Sequence, residues 1–190
     1  MKREAIVLAT IALCACGAGK KASQVPEGDG PLVAVYRAEL ARDEEPARKA
    51  RLLVWAESPD KLHAELLPPV GGSPLTLDAG AGRAVLLDAS ERTAYVGDAG
   101  PDAIASLTGV RIGVPEAVAA LLAGAAPEGA RIERDGGAEG ALPDHFSIEL
   151  AGAKLGLTRI RWERGSKTKA LGTGVPPDGW PVRPLAELSR

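Results

Sequence analysis

KLHAEL, residues 61–66, alternates strictly. Leu62, Ala64 and Leu66 fall on one side of an extended chain, and Lys61, His63 and Glu65 on the other. Side chains along a strand point to opposite faces in turn, so the segment reads as a strand with one packed face and one wet face. One-sided strands belong to antiparallel sheets, since the strands of parallel sheets are apolar on both sides. This reading puts His63 in solvent.

The pattern extends in both directions. Upstream, residues 32–40 and 51–57 read as strands, separated by the charged connection 41–50. Ser58-Pro59-Asp60 makes the turn into the quoted segment. Downstream, residues 74–78, 84–88 and 93–97 continue the meander, with Asp88-Ala89-Ser90-Glu91-Arg92 suited to a hairpin loop. The period then becomes helical over residues 101–107 and 115–123. Each of these helices opens at a proline, and the second stops at Gly124. Residues 131–134, 145–150 and 154–162 return to strand, and a Pro- and Gly-rich tail, residues 165–190, reads as loose. The predicted class is mainly β with helices (α+β). An incomplete antiparallel barrel closed by two or three short helices would bury both kinds of apolar face and leave room for a cavity.

The ends of the chain carry a different signal. Lys2 and Arg3 precede the apolar run Ala5 to Leu13, which is too short for a helix to cross a bilayer core. It has the form of a secretory leader. Leu13-Cys14-Ala15-Cys16 resembles a bacterial lipobox. That resemblance implies cleavage after residue 15 and a diacylglyceryl group on the sulfur of Cys16. A cut before Cys14 would set bulky Leu13 beside the scissile bond. Residues 16–31 then form a polar tether, and residues 32–164 the folded domain.

Composition narrows the chemistry. The 190 residues carry a formal net charge of −2, which supplies no electrostatic reason to bind nucleic acid. Aromatic residues are only 3% of the chain, so the core is aliphatic. Cys14 and Cys16 are the two cysteines, too few for a zinc site and not spaced as Cys-x-x-Cys. Gly17-Ala18-Gly19-Lys20-Lys21 lacks both the leading glycine and the Ser or Thr of a phosphate loop. His63 and His145 are the two histidines, and neither Gly-x-Ser-x-Gly nor His-Glu-x-x-His occurs. The acidic residues are scattered. The expectation is a binding protein, with no catalytic residue, metal or cofactor.

Residues 61–127, with 145–162, resemble the LolB family, the outer-membrane lipoprotein receptors of the bacterial lipoprotein-localisation pathway (LolA/LolB superfamily). The match rests on the strand–loop–strand LLPPVGGSPLTL, a hairpin leading to a helix that ends in Leu107-Thr108-Gly109, and a second helix from Pro115 to the run LAGAAP. HFSIELAGAKLGLTRIRW is similar to the family's closing hairpin. The resemblance implies an open barrel whose apolar cavity takes the acyl chains of lipoproteins, with Leu53, Leu62, Ala64, Leu66, Leu75, Leu77, Ile104, Leu107, Val118 and Leu121 as its lining. It implies membrane contact through Val70 on the Pro-apolar-Gly loop. It also implies lipoprotein cargo, a periplasmic LolA-like carrier as donor, and a monomer anchored by its N-terminal lipid at the periplasmic face of the outer membrane. Gly17, rather than aspartate, follows Cys16, which agrees with that address under the sorting rule of enteric bacteria. The other reading of the same fold is a structural or accessory lipoprotein of an envelope complex, without cargo.

Overall fold

The computed structural model describes residues 30–42, 46–69, 74–136, 143–165 and 174–188. In chain order the strands are β1 (Leu32–Arg42), β2 (Arg48–Glu57), β3 (Lys61–Leu67), β4 (Leu75–Gly80), β5 (Arg83–Asp88) and β6 (Thr93–Asp98). Helices α1 (Pro101–Thr108) and α2 (Val114–Ala123) follow. Then come β7 (Arg131–Asp135), β8 (His145–Leu150), β9 (Ala153–Arg164) and β10 (Val182–Pro184). Among the described residues these ten strands form one open sheet, ordered β10-β6-β5-β4-β3-β2-β1-β9-β8-β7. Short loops make antiparallel neighbours of β1 to β6 in turn, as hairpin closure requires.

The chain then has to pass from β6, near one end of the sheet, to β7 at the other. The two helices make that crossing over one face. α1 packs on β4 and β5, and α2 on β2 and β3. Pro101 lies in the first turn of α1, and Gly109 ends it at φ +79, where its N–H reaches Ala105 O at 2.7 Å. α2 has no basic residue in its own last turn. The sheet supplies the cations instead: the Arg164 guanidinium donates to Leu122 O at 3.5 Å, and the Arg134 guanidinium lies against Gly124.

The helix-covered face is the core. Leu32, Ala34, Tyr36 and Ala38 of β1 sit on it beside Leu52, Val54 and Ala56 of β2, Leu62 and Ala64 of β3, and Leu77 of β4. Phe146 and Ile148 of β8 join the same cluster, and Phe146 meets Tyr36 edge to face with ring centroids 6.0 Å apart. Burial raises the Tyr36 phenol pKa to about 12, with the Arg159 charge pulling the other way.

Two expectations require correction. The tail is not loose throughout: Val182–Pro184 pairs with Ala94–Val96 of β6, and it does so in parallel. Leu185, next in the chain, is 3% exposed. It presses on Gly97, where a Cβ would come within 2.9 Å of the leucine Cβ, so the close approach depends on glycine there. Pro181 and Pro184 flank this short edge and withhold N–H groups from further pairing. The charged connection is also shorter than residues 41–50, because β1 runs on to Arg42 and β2 already begins at Arg48. Among the described residues no helix is long and apolar enough to cross a membrane.

Candidate binding cleft

The extension of β1 and β2 creates the site. On β1 the core-facing row is Leu32, Ala34, Tyr36, Ala38 and Leu40, and the alternation places Arg42 next on it. Arg48 lies opposite Leu40 in the ladder, so it belongs to the same row on β2. At this end of the sheet α1 stands off, leaving an open cleft of about 270 Å³. Its lining includes Leu40 of β1, Leu66 of β3, Leu75 of β4 and Leu107 of α1, with Arg42 and Arg48 at the polar side. Both arginines are exposed.

The hydroxyls in the cleft are already engaged. Ser106 donates to Asp102 O at 2.7 Å, and Thr108 donates to Ile104 O at 2.9 Å. Thr108 Oγ1 also accepts from Val110 N–H at 3.2 Å. Such back-bonding to the preceding turn satisfies short polar side chains inside a helix. The guanidinium of Arg42 lies over Gly109, its Nε only 3.1 Å from where a Cβ would stand. Any side chain at that position would displace the arginine as well as strain the backbone.

The residues that the family resemblance assigns to a lining divide three ways. Leu66, Leu75 and Leu107 line the cleft. Leu62, Ala64, Leu77, Ile104, Val118 and Leu121 are buried in the packed cluster. Leu53 is a correction: it lies opposite Glu65 and Val35, on the sheet face away from the helices. Val70 and Cys16 fall outside the described residues.

His63 is the second correction. It is on the outer face, but only 4% exposed. Its cross-strand neighbours are Trp55 and Asp78. Nδ1 lies 2.7 Å from Asp78 Oδ1, and Nε2 lies 3.1 Å from Glu65 Oε1. A neutral ring donates from only one nitrogen, so two carboxylate partners favour the imidazolium. Burial alone would lower its pKa, but the hydrogen bonds and charges of Asp78 and Glu65 outweigh that and raise it above the usual 6.5. The two carboxylates take opposite sides of the ring, and among the described residues no group of three or more His, Cys, Asp and Glu side chains could hold a metal ion.

The linkage has a definite sign. A folded pKa above the unfolded value means that the charged ring stabilises the fold fully below about pH 6.5. That contribution is lost as pH rises through the folded pKa. Urea midpoints should therefore fall between mildly acidic and mildly alkaline pH, and Asp78→Asn should flatten the profile. An unchanged slope in Asp78→Asn would refute the role of this pair.

No family model matches the chain, and no curated protein is significantly similar to it. The chemistry must therefore be read from the cleft itself. Among the described residues it offers an aliphatic floor, two arginines at the rim, and hydroxyls that are turned inward.

Proposed function

We propose that this protein is a lipid-anchored acceptor that holds the acyl chains of lipoproteins and aids their insertion into the outer membrane. One observation carries the reading. The core-facing row of the sheet stays open at one end, where partly buried Leu40, Leu66 and Leu75 and buried Leu107 line a cleft. Aliphatic side chains hold a hydrocarbon without directional bonds, and each methylene withdrawn from water is worth about 0.8 kcal/mol. A chain entering there runs toward the face covered by α1 and α2. In this reading the two helices act as a cover that yields to cargo, completing an incomplete barrel around an apolar cavity.

The remaining parts have simple roles in that scheme. Lipidated Cys16 would hold the protein at the periplasmic face of the outer membrane, and the tether after it would supply reach. Val70, between Pro69 and Gly71, would touch the bilayer as cargo leaves. The donor would be a soluble LolA-like carrier. Cargo is bound and released by partition alone, with no cofactor and no bond made or broken.

The test places the full-length protein in phosphatidylcholine vesicles and adds a triacylated lipoprotein complexed with such a carrier. Flotation then measures the cargo that reaches the vesicles. Transfer should exceed that to protein-free vesicles, and Leu75→Glu should reduce it about tenfold, since a charge on the floor opposes an apolar chain. Transfer no faster than to protein-free vesicles would overturn the proposal.

A further inference from the structure

We infer that the cleft selects a single-chain amphiphile with an anionic oxyacid head, the head held by Arg42 at the rim and the chain lying along Leu40, Leu66, Leu75 and Leu107. This rests on the acyl-binding reading and names the ligand class for the same site. The argument begins with the alternation. Inward positions of β1 and β2 are apolar or small from Leu32 to Leu40 and from Ala56 back to Ala50, and then both strands place arginine there. A neutral hydrocarbon or ester would gain nothing from the Arg42 guanidinium at the entrance.

Arg42 is available for such a ligand. Among the described residues it has no acidic partner, and its side chain lies against Gly109 at the end of α1. Other arginines are engaged by carboxylates: Arg111 pairs with Asp102, Arg131 with Glu133, and Arg159 with Asp144. The other polar side chains of the lining, Ser106 and Thr108, give their protons to helix carbonyls. Guanidinium is therefore the donor that the cleft presents, and it matches the two oxygens of a carboxylate or phosphate with paired hydrogen bonds.

Size limits the other end of the ligand. At about 270 Å³ the cleft is at the low end for small-molecule sites. With the helix cover in place it admits one chain beneath a compact head, and several chains enter only when that cover yields. The ligand class is thus a fatty acid, an alkyl phosphate or a lysolipid of that type. Such a molecule would compete with acylated cargo at the entrance.

Photo-labelling tests this with the whole protein. The full-length chain in phosphatidylcholine vesicles is irradiated with a long-chain alkyl phosphate carrying a diazirine, or with the matching alkyl alcohol, and labelled peptides are mapped by mass spectrometry. The phosphate should label the peptides of Leu66, Leu75 and Leu107 about tenfold more than the alcohol, one decade in relative affinity. Arg42→Gln should bring it down to the alcohol level, while undiminished alcohol labelling certifies that the variant is folded. Millimolar inorganic phosphate should leave the labelling unchanged. Equal labelling by both probes would overturn the anionic preference and leave acyl binding standing. Labelling by neither would overturn both readings. Displacement by inorganic phosphate alone would make this a plain anion site, and the amphiphile would be excluded.

Discussion

Leu77→Ala is expected to destabilise the protein by about 2–5 kcal/mol, the cost of truncating a leucine where the surroundings cannot close the gap. Leu77 is fully buried in the middle of β4. Its cross-strand neighbours on the core face are Ala64 and Leu86, 3% and 1% exposed, and α1 packs on the same strand. The alanine beside it is already small and cannot expand into the space. Urea unfolding should show a lower midpoint at unchanged slope. Leu87→Ala, on the opposite face and half-buried, serves as the control and should cost less than half as much. The outcome also bears on function. A loss below about 1 kcal/mol at Leu77 would mean a loosely filled interior rather than close packing, and the ligand space would then reach well beyond the cleft.

The second expected result is larger in kind. Val118→Asp should detach α2 from the sheet, at a cost on the order of 3–5 kcal/mol for an unpaired charge forced into a core. Val118 is 1% exposed, and α2 rests on β2 and β3 through Ala117, Val118, Ala120 and Leu121. The aspartate must either be buried unpaired, be protonated through a raised pKa, or take the helix away from the sheet with it. Circular dichroism should keep its strand signal while thermal unfolding loses cooperativity and a hydrophobic dye binds. Pro115→Asp is the contrast: that position is exposed in the first turn of the same helix, where a carboxylate is favoured, so stability should barely change. Cooperative unfolding at the parent temperature in Val118→Asp would show that the helix cover contributes little. The idea that cargo must displace it would then fall.

Much of this architecture is local in origin and legible in one dimension. The alternation in KLHAEL, the turn residues between strands, and the proline starts and glycine stops of the two helices each act over a few residues. Nine strands and two helices are readable from them, within a residue or two at most ends. The limits of this reading are equally specific. Leu52-Leu53-Val54-Trp55 has no alternation, so period alone cannot say which of its members face the core, and Leu53 faces away. His63 is on the face that its period dictates, yet alternation cannot say whether that face is covered or what pairs with the ring. Arg42 and Arg48 were hidden by their company. In a charged run they read as loop, although the rows Ala38-Leu40-Arg42 and Arg48-Ala50-Leu52 keep the strand period intact.

The sequence by itself therefore determined the elements, their antiparallel succession through β6, and the amphipathic faces, because these follow from backbone geometry and side-chain period. Tertiary structure alone decided the rest. It placed β9 beside β1, docked β10 in parallel on β6, seated Leu185 on Gly97, and left α1 standing off two inward-facing arginines. Those are contacts between segments far apart in the chain. They follow from which surfaces remain to be buried once the local elements have formed, and no short window of residues contains that information.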